Sequence, residues 1–313
     1  MAVALTFPGQ GSQSVGMGKD LAAAFPQSRS VFEEVDEALG EKLSTLIWEG
    51  PEEKLTLTAN AQPALMAVSM AAVRALEAGG FALGERVAWV AGHSLGEYSA
   101  LAAAGMFSIG DAARLLRIRG NAMQAATPPG EGAMAAIIGL GQADVEAACG
   151  EAAAGSVCQI ANDNGAGQLV ISGSKPAVEK AARLCTERGA KRALMLAVSA
   201  PFHSALMAPA ADAMRDALAS VAKRVPCVPV IPNVAVRPVS DPEDIAGYLI
   251  EQVTGRVRWR ETIEFLSGNG ASTLCEVGAG KVLSGLALRI DRNVAALAIG
   301  TPAEVEAALA ALS

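Results

Sequence analysis

Between an apolar run and an alanine-rich stretch, the chain places Gly92-His93-Ser94-Leu95-Gly96, within "RVAWVAGHSLGEYSALAAAG". The apolar run reads as a buried strand and the stretch from about Gly96 as a helix. The pentapeptide fits G-x-S-x-G, and a strand before it with a helix after it is the context that gives the pattern meaning. So sharp a strand-to-helix turn strains the serine backbone. Glycines at 92 and 96 keep strand and helix from clashing with it. The Ser94 hydroxyl is then exposed, and the N–H of Leu95 and the positive end of the helix face the same space. The bland alternative is a glycine-rich turn whose serine caps the helix.

Short apolar runs alternate with helical patterns along most of the chain. "AVALTF" reads as a buried strand, and "SVFEEVDEAL" as a helix with Val31, Phe32, Val35, Ala38 and Leu39 on one face. "VPVIPNV", "STLCEVG" and "VAALAIG" read as later strands separated by helices. This alternation predicts a mostly parallel sheet covered on both sides. One segment breaks the rhythm. From about residue 132 the order is strand "GAMAAIIGL", helix "QADVEAACGEA", strands "VCQIAND" and "GQLVISG", helix "KPAVEKAARLCTERG", strand "KRALMLAVS". That is the β-α-β-β-α-β order of a ferredoxin-like unit. In its second helix Val178, Ala181, Ala182 and Cys185 share a stripe. "ATPPGEG" before it reads as a hinge. The expected fold class is therefore α/β: a large unit of residues 1–126 and 200–313, interrupted by a ferredoxin-like unit at 127–199.

Several function classes are disfavoured. The formal net charge of −7 works against general nucleic-acid binding, which needs a basic footprint. The longest apolar stretches, such as "PALMAVSMAAV", fall short of the ~20 residues that span a bilayer. The five cysteines are scattered, without C-x-x-C or metal-ligand spacing, and "MAVALTFPGQG" has no basic region or cleavage site of a signal peptide. A reducing cytoplasm and no metal are expected. "FPGQGSQSVGMGKD" fails the dinucleotide pattern, because Ser14 stands where a glycine is required, and "GAGKVLSG" fails the P-loop pattern, because Val282 follows Lys281. The first of these loops can instead offer a main-chain N–H at a strand's C-terminal end, where open α/β sheets bind ligands. Gln10 is the candidate there; a turn without a role is the alternative.

A serine of ordinary acidity needs a base. The chain has two histidines. His93 is adjacent to Ser94 in the elbow, where a side chain normally points away, which leaves His203 in "SAPFHSALM". No particular Asp or Glu stands out to orient it, and a main-chain carbonyl can hold Nδ1–H equally well. "SIGDAARLLRIRGNAMQAA" reads as a helix begun by Ser108 and Asp111. Its apolar stripe of Ala112, Leu115, Leu116, Ala122 and Met123 takes in Arg119. An unpaired buried guanidinium costs several kcal/mol, so it needs an anion. That anion is either an internal carboxylate or one arriving with an acyl substrate, which Arg grips with two parallel hydrogen bonds.

"FPGQGSQ", "GHSLGEYSAL", "RIRGNAMQ", "APFHSALM", "EQVTGRVRW" and "EVGAGKVLSGL" resemble, in content and order, the malonyl-CoA:acyl carrier protein transacylases. The likeness spans nearly the whole chain, and that family's architecture is a hydrolase-like α/β subdomain interrupted by a ferredoxin-like one. The resemblance implies Ser94 as the acylated nucleophile, His203 as the base of a Ser-His dyad, and the main-chain carbonyl of Gln252 as its orienting group. It implies that Arg119 holds the malonyl carboxylate and that the N–H groups of Gln10 and Leu95 form the oxyanion hole. Phe202 is similar to the bulky residue of malonyl-selective acyltransferases, where it fills the space a 2-methyl branch needs. The implied partners are malonyl-CoA and an acyl carrier protein that brings its own phosphopantetheine. No cofactor is implied, and a monomer is expected. An ordinary thioesterase and a non-catalytic acyl-binding protein are the rival readings. Lys180, Arg183, Arg188, Lys191 and Arg192 form a candidate basic patch for the carrier, or else a solvated helix face.

Overall fold

The computed structural model describes residues 2–198 and 200–312; the expected unit ends at Met1, Ser199 and Ser313 lie outside them. Among the described residues there are eight strands: β1 (Ala2–Phe7), β2 (Val87–Gly92), β3 (Gly132–Ile138), β4 (Cys158–Asp163), β5 (Gln168–Ser174), β6 (Arg192–Met195), β7 (Ala271–Val277) and β8 (Ala295–Ile299). β1 sits inside a parallel sheet of order β2-β1-β7-β8. Its Leu5 and Phe7 are fully buried, as an apolar strand covered on both faces requires. The helix Thr58–Ala78 beside it is buried nearly all round, which makes it a core element.

The interrupting segment folds as expected. β3 to β6 form an antiparallel sheet of order β4-β5-β3-β6, with helices Gln142–Ala153 and Lys175–Glu187 between the strands. It has its own apolar core, including Ile137, Val145, Ile171, Val178 and Cys185. Two main-chain hydrogen bonds join it to the large unit: Asp163 N–H donates to Val257 and Val257 N–H to Ala161. Arg260 adds a 2.9 Å ion pair to Asp163.

The segment "VPVIPNV" is not the strand its composition predicts. It lies extended beside β2 through a bridge between Val90 and Val230. Pro229 and Pro232 remove the N–H groups that a continuous ladder would use. The strand expected in "KRALMLAVS" covers only Arg192–Met195.

At the elbow, Ser94 has φ +54°, a costly left-handed conformation for a residue with a side chain. The flanking glycines are steric necessities. A Cβ on Gly92 would stand 1.9 Å from the carbonyl carbon of Gly96, and one on Gly96 would stand 2.2 Å from the Phe7 oxygen. Both clashes are with backbone, which cannot rotate away. Replacing Gly96 with alanine is expected to destabilise the protein by about 3 kcal/mol or more. Denaturant unfolding checks this; a midpoint equal to the native one would show that the elbow relaxes.

Candidate active site

Asn233 clamps the elbow from both sides. Its Oδ1 accepts from Ser94 N–H at 2.8 Å, and its Nδ2 donates to the Gly92 carbonyl at 2.7 Å. The clamp holds the strained serine with its Oγ 2.7 Å from His203 Nε2. His203 Nδ1 lies 2.8 Å from the main-chain oxygen of Gln252. Since a carbonyl only accepts, Nδ1 carries the proton and Nε2 is left as the acceptor facing the serine. That carbonyl is free because Gln252 lies near the end of the helix Pro242–Thr254, where the last four carbonyls lack intrahelical partners. Among the described residues no acidic side chain is bonded to this imidazole. Burial, with help from the Arg119 charge, lowers the His203 imidazole to about 3, so it stays neutral and able to take a proton.

Arg119 is 1% exposed. It lies on the helix Ile109–Ala125, whose N-cap Ser108 accepts from Asp111 N–H. One guanidinium nitrogen donates to Gln62 Oε1 at 2.7 Å. The other donates to Gln252 Oε1 at 2.8 Å and to Ser94 Oγ at 3.1 Å. The Tyr98 ring lies 5.7 Å away. Among the described residues no carboxylate is within ion-pair distance of this guanidinium. An internal salt bridge is thus absent: the cation rests on two neutral amide oxygens beside the nucleophile.

The serine opens into a cleft of about 400 Å³ lined by both units: Gln10, Leu95, Arg119, Phe202 and His203 on one side, Met134, Asn162 and Val170 on the other. Among the described hydrogen bonds, the main-chain N–H groups of Gln10 and Leu95 have no acceptor. The Gln10 side chain accepts from the Thr58 hydroxyl at 2.8 Å, which fixes its loop over the cleft. His93 turns away from the serine: its Nε2 is 2.9 Å from Asn164 Oδ1, and its ring lies 5.5 Å from that of Trp259, tilted by 58°. From β4, Gln159 donates to the main-chain oxygens of His203 and Thr254 at 3.4 and 3.3 Å. Among the described residues there is no group of three or more His, Cys, Asp or Glu that could hold a metal ion.

The seven residues named for catalysis and substrate binding therefore meet in one place, and the candidate basic patch of Lys180, Arg183, Arg188, Lys191 and Arg192 does not line it. Gln62, Glu97, Asn233 and Gln159 were not foreseen. Gln62 and Glu97 carried a signal, each being a long polar residue inside an apolar helix. Asn233 carried none, because its segment reads as an apolar strand. The arrangement suits attack by Ser94 on an acyl carbonyl, proton transfer through His203 and recognition of an acid group by Arg119.

Residues 5–285 match the family model described as acyl transferase domain. The chain is 47% identical over 306 residues to the malonyl CoA-acyl carrier protein transacylase of Escherichia coli K12, covering 98% of each chain. It is similar in structure to the acyl-carrier-protein-S-malonyltransferase of Bartonella henselae, with TM-score 0.98, 63% identity, and 100% and 99% of the two chains covered. It is also similar to a malonyl-transacylase solved in holo complex with a type II PKS acyl-carrier protein, with TM-score 0.96, 44% identity, and 99% and 100% covered.

The depressed His203 pKa sets a pH expectation. The neutral imidazole persists as pH falls through 6.5, where an ordinary histidine titrates, and is lost only toward about 3. Labelling of Ser94 by an active-ester probe should stay level from about pH 8 to about pH 5. An inflection near 6.5 would show that the base is solvated rather than buried.

Proposed function

As the chain belongs to the acyl transferase family, among its malonyl-CoA:acyl carrier protein transacylases, we propose which of its residues carry the transfer. The protein moves a malonyl group from malonyl-CoA to the phosphopantetheine thiol of an acyl carrier protein. The observation that carries the residue assignment is the convergence on Ser94 Oγ of His203 Nε2 at 2.7 Å and the Arg119 guanidinium at 3.1 Å.

Malonyl-CoA enters the cleft with its free carboxylate toward Arg119. Ser94 Oγ attacks the thioester carbon while its proton passes to His203 Nε2. The N–H groups of Gln10 and Leu95 hold the oxyanion, a contribution of ~3 kcal/mol each in comparable sites. The C–S bond breaks, and the imidazolium returns its proton to the CoA sulfur. Malonyl-Ser94 remains. The carrier's thiol then attacks the ester carbonyl, and the same groups run the steps in reverse. The Gln252 carbonyl keeps the imidazole in the productive tautomer throughout. Phe202, 9% exposed in the cleft wall, occupies the space of a 2-methyl branch. The division into a large unit of 1–126 and 200–313 and a small unit of 127–199 is part of this reading, with the carrier docking at the groove between them. So are the exposed residues Arg183, Arg188, Lys191 and Arg192 as its basic footing. The chemistry needs no cofactor beyond its substrates. No described helix is long and apolar enough to cross a membrane; a cytoplasmic setting and a role in fatty acid synthesis are part of the reading we assign.

Incubation with malonyl-CoA followed by mass spectrometry tests the reading. Ser94 should gain a malonyl group that persists without carrier and is discharged by holo-carrier. Rapid release of free malonate would identify a thioesterase instead, and unchanged turnover in Ser94→Ala would remove the covalent route. Arg119→Ala should slow malonyl transfer at least about 100-fold, since a site built for a polar partner loses most when the pair is broken. Rates equal to the native enzyme would detach the guanidinium from the substrate. Phe202→Ala should raise methylmalonyl transfer relative to malonyl in the same single-turnover assay.

A further inference from the structure

The mechanism makes no use of Glu97, although it is the carboxylate nearest the nucleophile in sequence on the helix Gly96–Ala103. Its side chain is fully buried. Oε2 accepts two hydrogen bonds at 2.9 Å, one from the main-chain N–H of Asn233 and one from Gln252 Nε2. Oε1 has no partner. Both neighbours are parts of the machinery. Asn233 is the clamp on the elbow, and the Gln252 amide also donates to the Ser94 carbonyl at 3.0 Å and accepts from Arg119 through Oε1. An amide can flip, and the acceptor at Glu97 joins the Ser94 carbonyl and the Arg119 donor in telling Gln252 which end to turn where. Flipped, it would aim its NH2 group at the Arg119 guanidinium.

We propose that Glu97 is a positioning residue for malonyl transfer: it fixes the Gln252 amide and supplies the buried negative charge that balances Arg119 until the substrate's carboxylate takes over. The inference rests on the malonyl reading above. Two buried anions around one buried cation are unfavourable, so arrival of the malonyl carboxylate drives a proton onto Glu97. The groups facing Glu97 are Arg119 on the helix Ile109–Ala125, Gln252 on the helix Pro242–Thr254, Asn233, and Tyr98 on its own helix. Only Arg119 among them is charged at neutral pH, since burial raises the Tyr98 phenol. Burial raises Glu97 itself to about 7, against its bonds from Asn233 and Gln252 and the attraction of Arg119. Above that pH the empty site holds an ionised Glu97 that must be neutralised for malonyl to bind. Below it the proton is already in place.

The sign follows from linkage. The KM for malonyl-CoA should rise several-fold between about pH 7 and about pH 8.5, and malonylation of Ser94 in weakly buffered solution should take up protons. Glu97→Gln keeps an acceptor oxygen but has no charge to titrate. Its KM should be level over that range, with kcat lowered several-fold, whereas Glu97→Ala should lose more kcat because the Gln252 NH2 group loses one of its two acceptors. A KM profile in Glu97→Gln that rises as in the native enzyme overturns the inference. If the variant fails to fold, proton uptake by the native enzyme decides alone, and its absence overturns the inference. Failure of native Ser94 to become malonylated would instead overturn the functional reading on which the inference stands.

Discussion

A guanidinium shut away from water without a carboxylate against it is the constraint around which the rest of this molecule is organised. Arg119 carries the desolvation cost of burial, offset at contact distance by the neutral oxygens of Gln62, Gln252 and Ser94. Burial accordingly pulls its pKa down from the ordinary arginine value. Holding such a group requires a preorganised amide shell, and each amide in the shell needs its own anchor. Gln62 sits in the first turns of the buried helix Thr58–Ala78, where it also donates to Thr58. Gln252 is fixed at both ends of its amide. The outcome is a cation that also donates to Ser94 Oγ at 3.1 Å, at the wall of the cleft.

Ser94 and His203 are strained in the same way. Both have positive φ, near +54° and +55°, in a region that residues with side chains seldom occupy. Strain of this kind persists only where the surroundings over-determine it. Around Ser94 those surroundings are the two glycines and the Asn233 clamp. Around His203 they are the Gln252 carbonyl and the Gln159 side chain. Each of the two residues is thus held by backbone and amide contacts, which do not themselves titrate.

Most of this was legible from the residues, for physical reasons. The elbow was readable because its geometry tolerates so few residue types. The inserted unit was readable because its strands and helices follow their own periodicities closely, down to the Val178, Ala181, Ala182 and Cys185 stripe, all buried. Arg119 was readable as a charge on an apolar stripe. Its partners were not, because a stripe shows that something must compensate a charge and leaves open what. Gln62 and Gln252 converge on Arg119 from two distant segments through side-chain amides, and local pattern carries no information on such a meeting. Family likeness implies the Gln252 carbonyl as the acceptor that orients His203; its side-chain amide, bonded to Arg119, Ser94 and Glu97, left no trace in the sequence. The segment around Val230 misled because apolar composition reports burial, while its two prolines decide pairing.

The small unit is more than a wall opposite the serine. Its outer strand β4 is bonded at Ala161 and Asp163 to Val257, five positions beyond Gln252, and its Gln159 reaches the carbonyls of His203 and Thr254. A tilt of the small sheet by more than a hydrogen-bond length would tug on the very backbone that aims the imidazole. Whatever presses on that sheet is therefore geared to the base, and the width of the entrance and the alignment of the dyad cannot be adjusted separately.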